Sequence, residues 1–185
     1  MTVYEKLLIY SLGIISKKRY TKKQIKDKLV ARLKKIEASY TKEKYSKKNI
    51  CNGSEGNNNS LAIDNDVICK VLDRLIELRY IEDKRFSEDY ISQHILLRPR
   101  GLKLIRGELL KKGVSANIID SAIDSIEINE EDMVQRVFDK RFKKFKREDV
   151  DYYKFKSKVF SYLFSKGFNK DYIYKVFDSW YNNSV

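Results

Sequence analysis

The sequence predicts an all-α protein built from three tandem three-helix modules, helix-turn-helix-like repeats laid end to end. Three observations predict it. An apolar stripe with the spacing i, i+1, i+4, i+5, i+8 occurs at Val67, Ile68, Val71, Leu72 and Leu75, returns at Ile118, Ile119, Ala122, Ile123 and Ile126, and returns again at Tyr172, Ile173, Val176, Phe177 and Trp180. That spacing is one face of a helix, three times over. Before the second stripe stand Ile105, Leu109, Leu110, Gly113 and Val114, and before the third Val159, Leu163, Phe164, Gly167 and Phe168, so a helix, its glycine stop and the next helix repeat together. Finally, 35% charged residues and a single proline in 185 residues point to exposed helices rather than one compact globule. Repeats of this kind build extended surfaces that track long partners.

The first module, residues 1–82, opens with a helix from about Thr2 to Ser16 and a connection at Lys17-Lys18-Arg19-Tyr20. Thr21 with Gln24 is a capping-box pair, so a second helix starts there, lined by Ile25, Leu29 and Leu33. From about 38 to 64 the apolar periodicity gives way to Lys, Ser, Gly and the Asn57-Asn58-Asn59 run, which is expected to be a disordered insertion. Asp64 or Asp66 is the expected cap of the helix bearing the first stripe, which ends near Arg79. The second module, 83–128, has a helix carrying Phe86, Tyr90, Ile91 and Ile95, ended at Pro99. The next carries Leu102, Ile105 and Leu109 and stops at Gly113, where the missing side chain permits a left-handed turn. Ser115 is placed to cap the striped helix that follows. In the third module, 129–185, Glu130, Glu131 and Asp132 suit the dipole at the start of a helix that runs through Val134, Val137 and Phe138. A helix from about Asp151 to Lys166, the Gly167 stop and the last stripe complete nine helices.

The net charge of +13 is unevenly placed. Residues 1–50 carry 15 cations against 4 carboxylates, 51–130 carry 11 against 14, and 131–185 carry 13 against 8. Basic ends of this size suit a polyanion, inside a cell most often nucleic acid, although a lysine-rich proteome would leave the same imprint on a helical protein. Two cysteines and one histidine, His94, make neither a disulfide framework nor a four-ligand zinc site. Cys69 beside its stripe reads as a packed small residue. No apolar run approaches the roughly 18 residues of a membrane span and no signal peptide is evident, so the expected location is the cytoplasm.

Leu75 to Leu78, then Tyr80-Ile81-Glu82-Asp83 with Phe86 and Tyr90, followed by Arg106-Gly107-Glu108-Leu109-Leu110-Lys111-Lys112-Gly113-Val114 and the stripe at Ile118, resemble the central part of the RecX family, regulators of the bacterial recombinase RecA. Arg79 stands where that family usually has a glycine before the tyrosine. The resemblance implies a curved, elongated array lying in the groove of a RecA filament on single-stranded DNA. It implies a modulator, mainly an inhibitor, of recombinase, ATPase and coprotease activities; no cofactor is expected, and an array that ends in its own stripe at Trp180 gives no reason to require a dimer, so a monomer is expected. Single-stranded DNA and also duplex DNA are further expected partners.

The candidate partner and DNA contacts are the cations Lys17, Lys18 and Arg19 in the first module, Arg98, Arg100, Lys103, Arg106, Lys111 and Lys112 in the second, and Lys143, Lys144, Lys146 and Arg147 in the third. Each has an ordinary alternative as a solvated face or, for Lys111 and Lys112, as cations at a helix C-terminus. Phe142 and Phe145 interleave with the last group, which suits a stacking and phosphate-binding strip, but with Phe138 they also have core spacing. Tyr80, Asp83, Phe86, Gly113 and Gly167 are the motif residues with structural work to do: the aromatics packing one module on the next, Asp83 capping a helix. The carboxylate clusters fall at helix starts, and no nucleophile motif or Gly-rich phosphate loop is present, which argues against an enzyme. A helix-turn-helix type DNA-binding protein acting without RecA is the alternative function.

Overall fold

The computed structural model describes the backbone of residues 1–47 and 60–182, and the side chains of these except 40–47, 60–64 and 147. Among the described residues the regular structure is nine α-helices and one 3-10 turn at Arg147–Asp149, with no strand. In chain order they are α1 (Val3–Ile15), α2 (Lys22–Lys47), α3 (Ser60–Glu77), α4 (Asp83–Leu96), α5 (Leu102–Lys111), α6 (Ala116–Asp124), α7 (Glu130–Phe142), α8 (Tyr152–Ser165) and α9 (Lys170–Asn182). They divide into two compact units, residues 1–86 and 87–185.

In the first unit, α1 and α2 both start on reciprocal capping boxes. The Thr2 hydroxyl accepts from the Glu5 amide at 3.2 Å while Thr2 N–H donates to Glu5 Oε2 at 2.9 Å. Thr21 and Gln24 repeat the exchange, both bonds at 3.2 Å. Each box satisfies two amides that a helix start leaves without partners. The core is Leu7 from α1, Ile25, Leu29, Leu33 and Ile36 from α2, Ile68, Val71, Leu72 and Leu75 from α3, and Ile81. Burying side chains of this size contributes roughly 1.5–3 kcal/mol each.

Helix α2 reaches Lys47, well past the point where apolar periodicity ends, and α3 begins at Ser60. The stretch 38–47 contains neither Gly nor Pro and four of its ten residues are Lys or Glu, good helix formers that let the helix continue past its buried face. The remainder of the expected insertion, 48–59, lies outside the described residues, as does Cys51. With α3 starting at Ser60, Asp66 is no cap but lies inside the helix, paired with Lys70 one turn on at 2.7 Å. Cys69 is exposed rather than packed, because it sits one position off the buried stripe. Asp83 is the first residue of α4, yet its Oδ1 accepts from the Lys22 amide at 2.8 Å, so it completes the start of α2, 61 positions away.

In the second unit the repeated helix pairs α5–α6 and α8–α9 end their first members alike. Gly113 N–H donates to Leu110 O and Val114 N–H to Leu109 O; Gly167 and Phe168 do the same with Phe164 and Leu163. The glycines take φ of 86° and 83°, the left-handed turn that closes this motif. Gly101, ahead of α5, donates to Lys166 O at 2.9 Å, and a Cβ on it would lie 2.0 Å from Gly167 O. Two glycines thus let the start of α5 touch the end of α8 backbone to backbone. The set α7–α9 packs Met133, Val134, Phe138 and Phe142 against Phe155, Val159, Leu163, Ile173, Val176 and Phe177. Phe142 meets Phe155 edge-on at 5.8 Å, and Trp180 closes the cluster over Phe155 at 4.8 Å. Ile91, Ile105, Leu109, Val114, Ile119 and Ala122 are the buried apolar residues of the α4–α6 segment, and Ser87 and His94 of α4 are buried with them.

Candidate polyanion-binding groove

Burying Phe138 and Phe142 fixes the rotation of α7, and the same rotation turns Arg136, Lys140 and Arg141 outward. Beside them run residues 96–100, where Pro99 ends α4, and α8 supplies Tyr162 and leads to Lys166. Together they enclose a groove of about 520 Å³ lined by Arg98, Arg100, Arg136, Lys140, Arg141 and Lys166, and by no carboxylate among the described residues. A second concavity of about 660 Å³ continues from it, sharing Lys140 and Arg141 and adding Lys143, Lys144 and Lys158, with Asp139 its one acid. The two form one basic strip along the C-terminal half of α7.

The strip is held in shape by contacts, two of which pair its arginines with carboxylates. Arg136 Nε pairs with Asp132 at 3.0 Å, and its Nη2 donates to Ile95 O at 3.0 Å, tying α7 to the end of α4. Arg100 Nη1 reaches Glu108 Oε1 at 2.6 Å, and Tyr90 Oη donates to the other oxygen of the same carboxylate at 2.5 Å. Burial, then the bond to Glu108, pushes the Tyr90 phenol up to about 12. His94 is buried beside it, its ring 4.5 Å from Tyr90 and its Nδ1 3.4 Å from Arg98 O; desolvation pushes its pKa down from 6.5. The Arg141 guanidinium lies 4.3 Å over the Tyr162 ring, with Lys166 Nζ 5.6 Å from the same ring. Leu96 and Leu97 stand 69% and 72% exposed at the groove edge, an apolar pair among cations.

The predicted cations fall in different settings. Arg98 and Arg100 line the groove, and Lys143 and Lys144 its continuation; Lys146 is exposed nearby in sequence, and the Arg147 side chain lies outside the described residues. Arg106 forms a two-pronged ion pair with Asp120 that ties α5 to α6. Lys103 sits 5.9 Å over Phe164, Lys111 is exposed, and Lys112 lies 5.4 Å over the Tyr90 ring. In the first unit Lys17, Lys18 and Arg19 are exposed, Lys18 4.9 Å from the Tyr20 ring. Of the motif segment, Ile81 enters the core at 4% exposure while Tyr80 is 51% exposed and Phe86 half-buried.

Sequence reasoning did not single out Arg136, Lys140, Lys158 or Lys166 for the groove. A signal existed for part of it: Arg136, Lys140 and Lys143 or Lys144 recur at i, i+4, i+7 or i+8, one outward face of a helix. Glu130, which lies apart from the groove, is occupied structurally: the backbone amides of Asn169 and Leu102 donate to it at the starts of α9 and α5, and burial raises its pKa. No group of three or more His, Cys, Asp or Glu among the described residues is arranged to hold a metal. No described helix is long and apolar enough to cross a membrane.

Comparison with known proteins places these units. Residues 83–123 match the second three-helix domain of RecX and residues 129–177 the third. The regulatory protein RecX of Clostridium tetani is 33% identical over 110 residues, 59% of this chain and 50% of that protein. That of Clostridium botulinum strain Eklund 17B is 31% identical over 114 residues, 61% of this chain and 53% of that protein. The chain thus spans about half the length of the curated relatives it matches. In fold it is similar to the crystal structure of RecX from Lactobacillus salivarius, with a TM-score of 0.69 at 22% identity over 96% of each chain.

Proposed function

The chain belongs to the RecX family, whose second and third three-helix domains it carries at residues 83–123 and 129–177, and on that basis we propose that it is a non-enzymatic regulator that binds the RecA recombinase filament on single-stranded DNA and mainly inhibits it. The observation that carries this reading is the basic strip of the second unit with Leu96 and Leu97 at its edge. Six cations line the groove, Arg100 and Arg136 of them ion-paired to Glu108 and Asp132, and the excess positive charge attracts phosphates or acidic protein surface. Bare phosphate does not reward two exposed leucines, whereas a protein partner with an acidic, partly apolar surface does, through a small desolvated centre inside a charged rim. A filament offers both chemistries along one path, protein subunits wound on a nucleic-acid strand.

Inhibition on this reading needs no reacting group. A protein held across neighbouring filament subunits obstructs the addition of further subunits or favours their loss, and ATP hydrolysis, strand exchange and coprotease activity fall together. The test is single-stranded-DNA-dependent ATP hydrolysis by the RecA of the same organism, titrated with this protein at moderate salt. Strong inhibition at far less than one molecule per RecA subunit supports the reading. No effect until the protein coats the DNA would mean competition for phosphates, and would favour a helix-turn-helix type DNA-binding protein that acts without RecA.

A further inference from the structure

A second basic feature lies wholly within the first unit, where α3 ends. Helix α3 stops as α5 and α8 do: Arg79 N–H donates to Ile76 O at 2.8 Å and Tyr80 N–H to Leu75 O at 2.9 Å. In the two other helices the left-handed position of this motif is glycine, but here it is Arg79, with φ of 56°, the one non-glycine residue with positive φ among the described residues. An L side chain there costs about 1 kcal/mol or less relative to glycine, and residues held in such conformations cluster at binding sites.

That side chain lines a concavity of about 230 Å³ together with Arg19, Arg85, Tyr20, Tyr80 and Glu82. Three guanidinium groups face one carboxylate. Each guanidinium is a planar fork that matches the oxygens of a phosphate two at a time. Tyr80, 51% exposed beside Arg79, lines the same concavity, and the Tyr20 ring carries Lys18 and Lys28 Nζ at 4.9 and 5.3 Å, which extends the positive rim. Guanidinium forks next to a part-exposed aromatic ring are the combination that single-stranded nucleic acid uses, phosphates on the cations and a base on the ring. A carboxylate from a protein would pair with an arginine but leave Tyr80 without a role.

We propose that this concavity is a phosphodiester site for a single strand, with Arg79, Arg85 and Arg19 taking phosphate oxygens and Tyr80 stacking a base. The choice of a strand rests on the filament reading above; the anion site itself does not. It makes Arg79 a residue that trades stability for binding.

The test is fluorescence anisotropy of a labelled oligothymidylate with the full chain, across a salt series, comparing wild type with R79G, R85Q and the groove variant K140E/R141E. We expect R79G and R85Q each to weaken binding several-fold and to lower the slope of log K against log salt by about 0.7, one phosphate contact on a single strand. R79G should at the same time melt at a higher temperature than wild type, which separates lost binding from lost folding. Unchanged affinity and slope in both variants, with K140E/R141E weakened, would overturn this site and leave the filament reading intact. Weakened R79G and R85Q in a protein that fails to inhibit the recombinase would sink the filament reading and keep the site. Saturable binding of free ATP that R79G abolishes, with oligonucleotide affinity unaffected, would overturn the assignment to a strand.

Discussion

His94 is the one histidine of the chain, and its surroundings set how it titrates. It is buried against Tyr90, faces Arg98 and Arg100 as like charges and Glu108 as the opposing one, and desolvation dominates, so its folded pKa lies below 6.5. A group depressed on folding contributes stability that is present above its unfolded pKa and lost as pH falls through the folded value. Chemical denaturation should therefore show stability constant from about pH 7 to 8 and falling below pH 6. His94→Gln should flatten the acid limb, and an imidazole that titrates at or above 6.5 by NMR would contradict the account. The burial of His94 was legible as an ordinary consequence of its place between Ile91 and Ile95. The Tyr90–Glu108–Arg100 chain beside it was not, because it joins positions 18 and 8 apart that share no helical period.

Helix ends in this structure carry contacts that a helix-by-helix reading misses. Gly113 and Gly167 were readable as stops from the repeat alone, and both take the left-handed turn that only glycine enters without strain. What the sequence did not disclose is that Gly167 has a second duty. A Cβ there would lie 2.4 Å from Leu104 Cβ and 2.8 Å from Leu104 N, so α8 and α5 meet at a backbone that tolerates no side chain. Gly113 and Gly167 read alike in sequence because close approach depends on a neighbour from elsewhere in the chain. Gly167→Ala should thus combine backbone strain with a clash that displaces α5, lowering the stability of the second unit by about 2 kcal/mol or more in thermal or urea unfolding. A loss under about 0.5 kcal/mol would mean that the two helices slide apart freely.

Charge spread over the molecule is legible in the sequence, but the surface on which it converges is not. The basic ends were plain from the count of residues, and the cations of 98–100 and 143–144 were picked out. The strip itself was hidden because it draws on three segments far apart in sequence, residues 96–100, α7 and the end of α8, which fold brings to one surface. Arg106, by contrast, stood out in sequence and is engaged with Asp120 inside its own module. On the proposed function, Lys140 and Arg141, which both concavities share, are the side chains expected to matter most for filament recognition. The most direct measurement is the substoichiometric inhibition of recombinase ATP hydrolysis by wild type and by K140E/R141E, with circular dichroism melting of both. Both side chains are exposed and neither packs in the core, so folding should be unchanged while at least about tenfold more variant is needed for the same inhibition. Equal potency of the two proteins, at equal stability, would show that the strip is not where the filament is held.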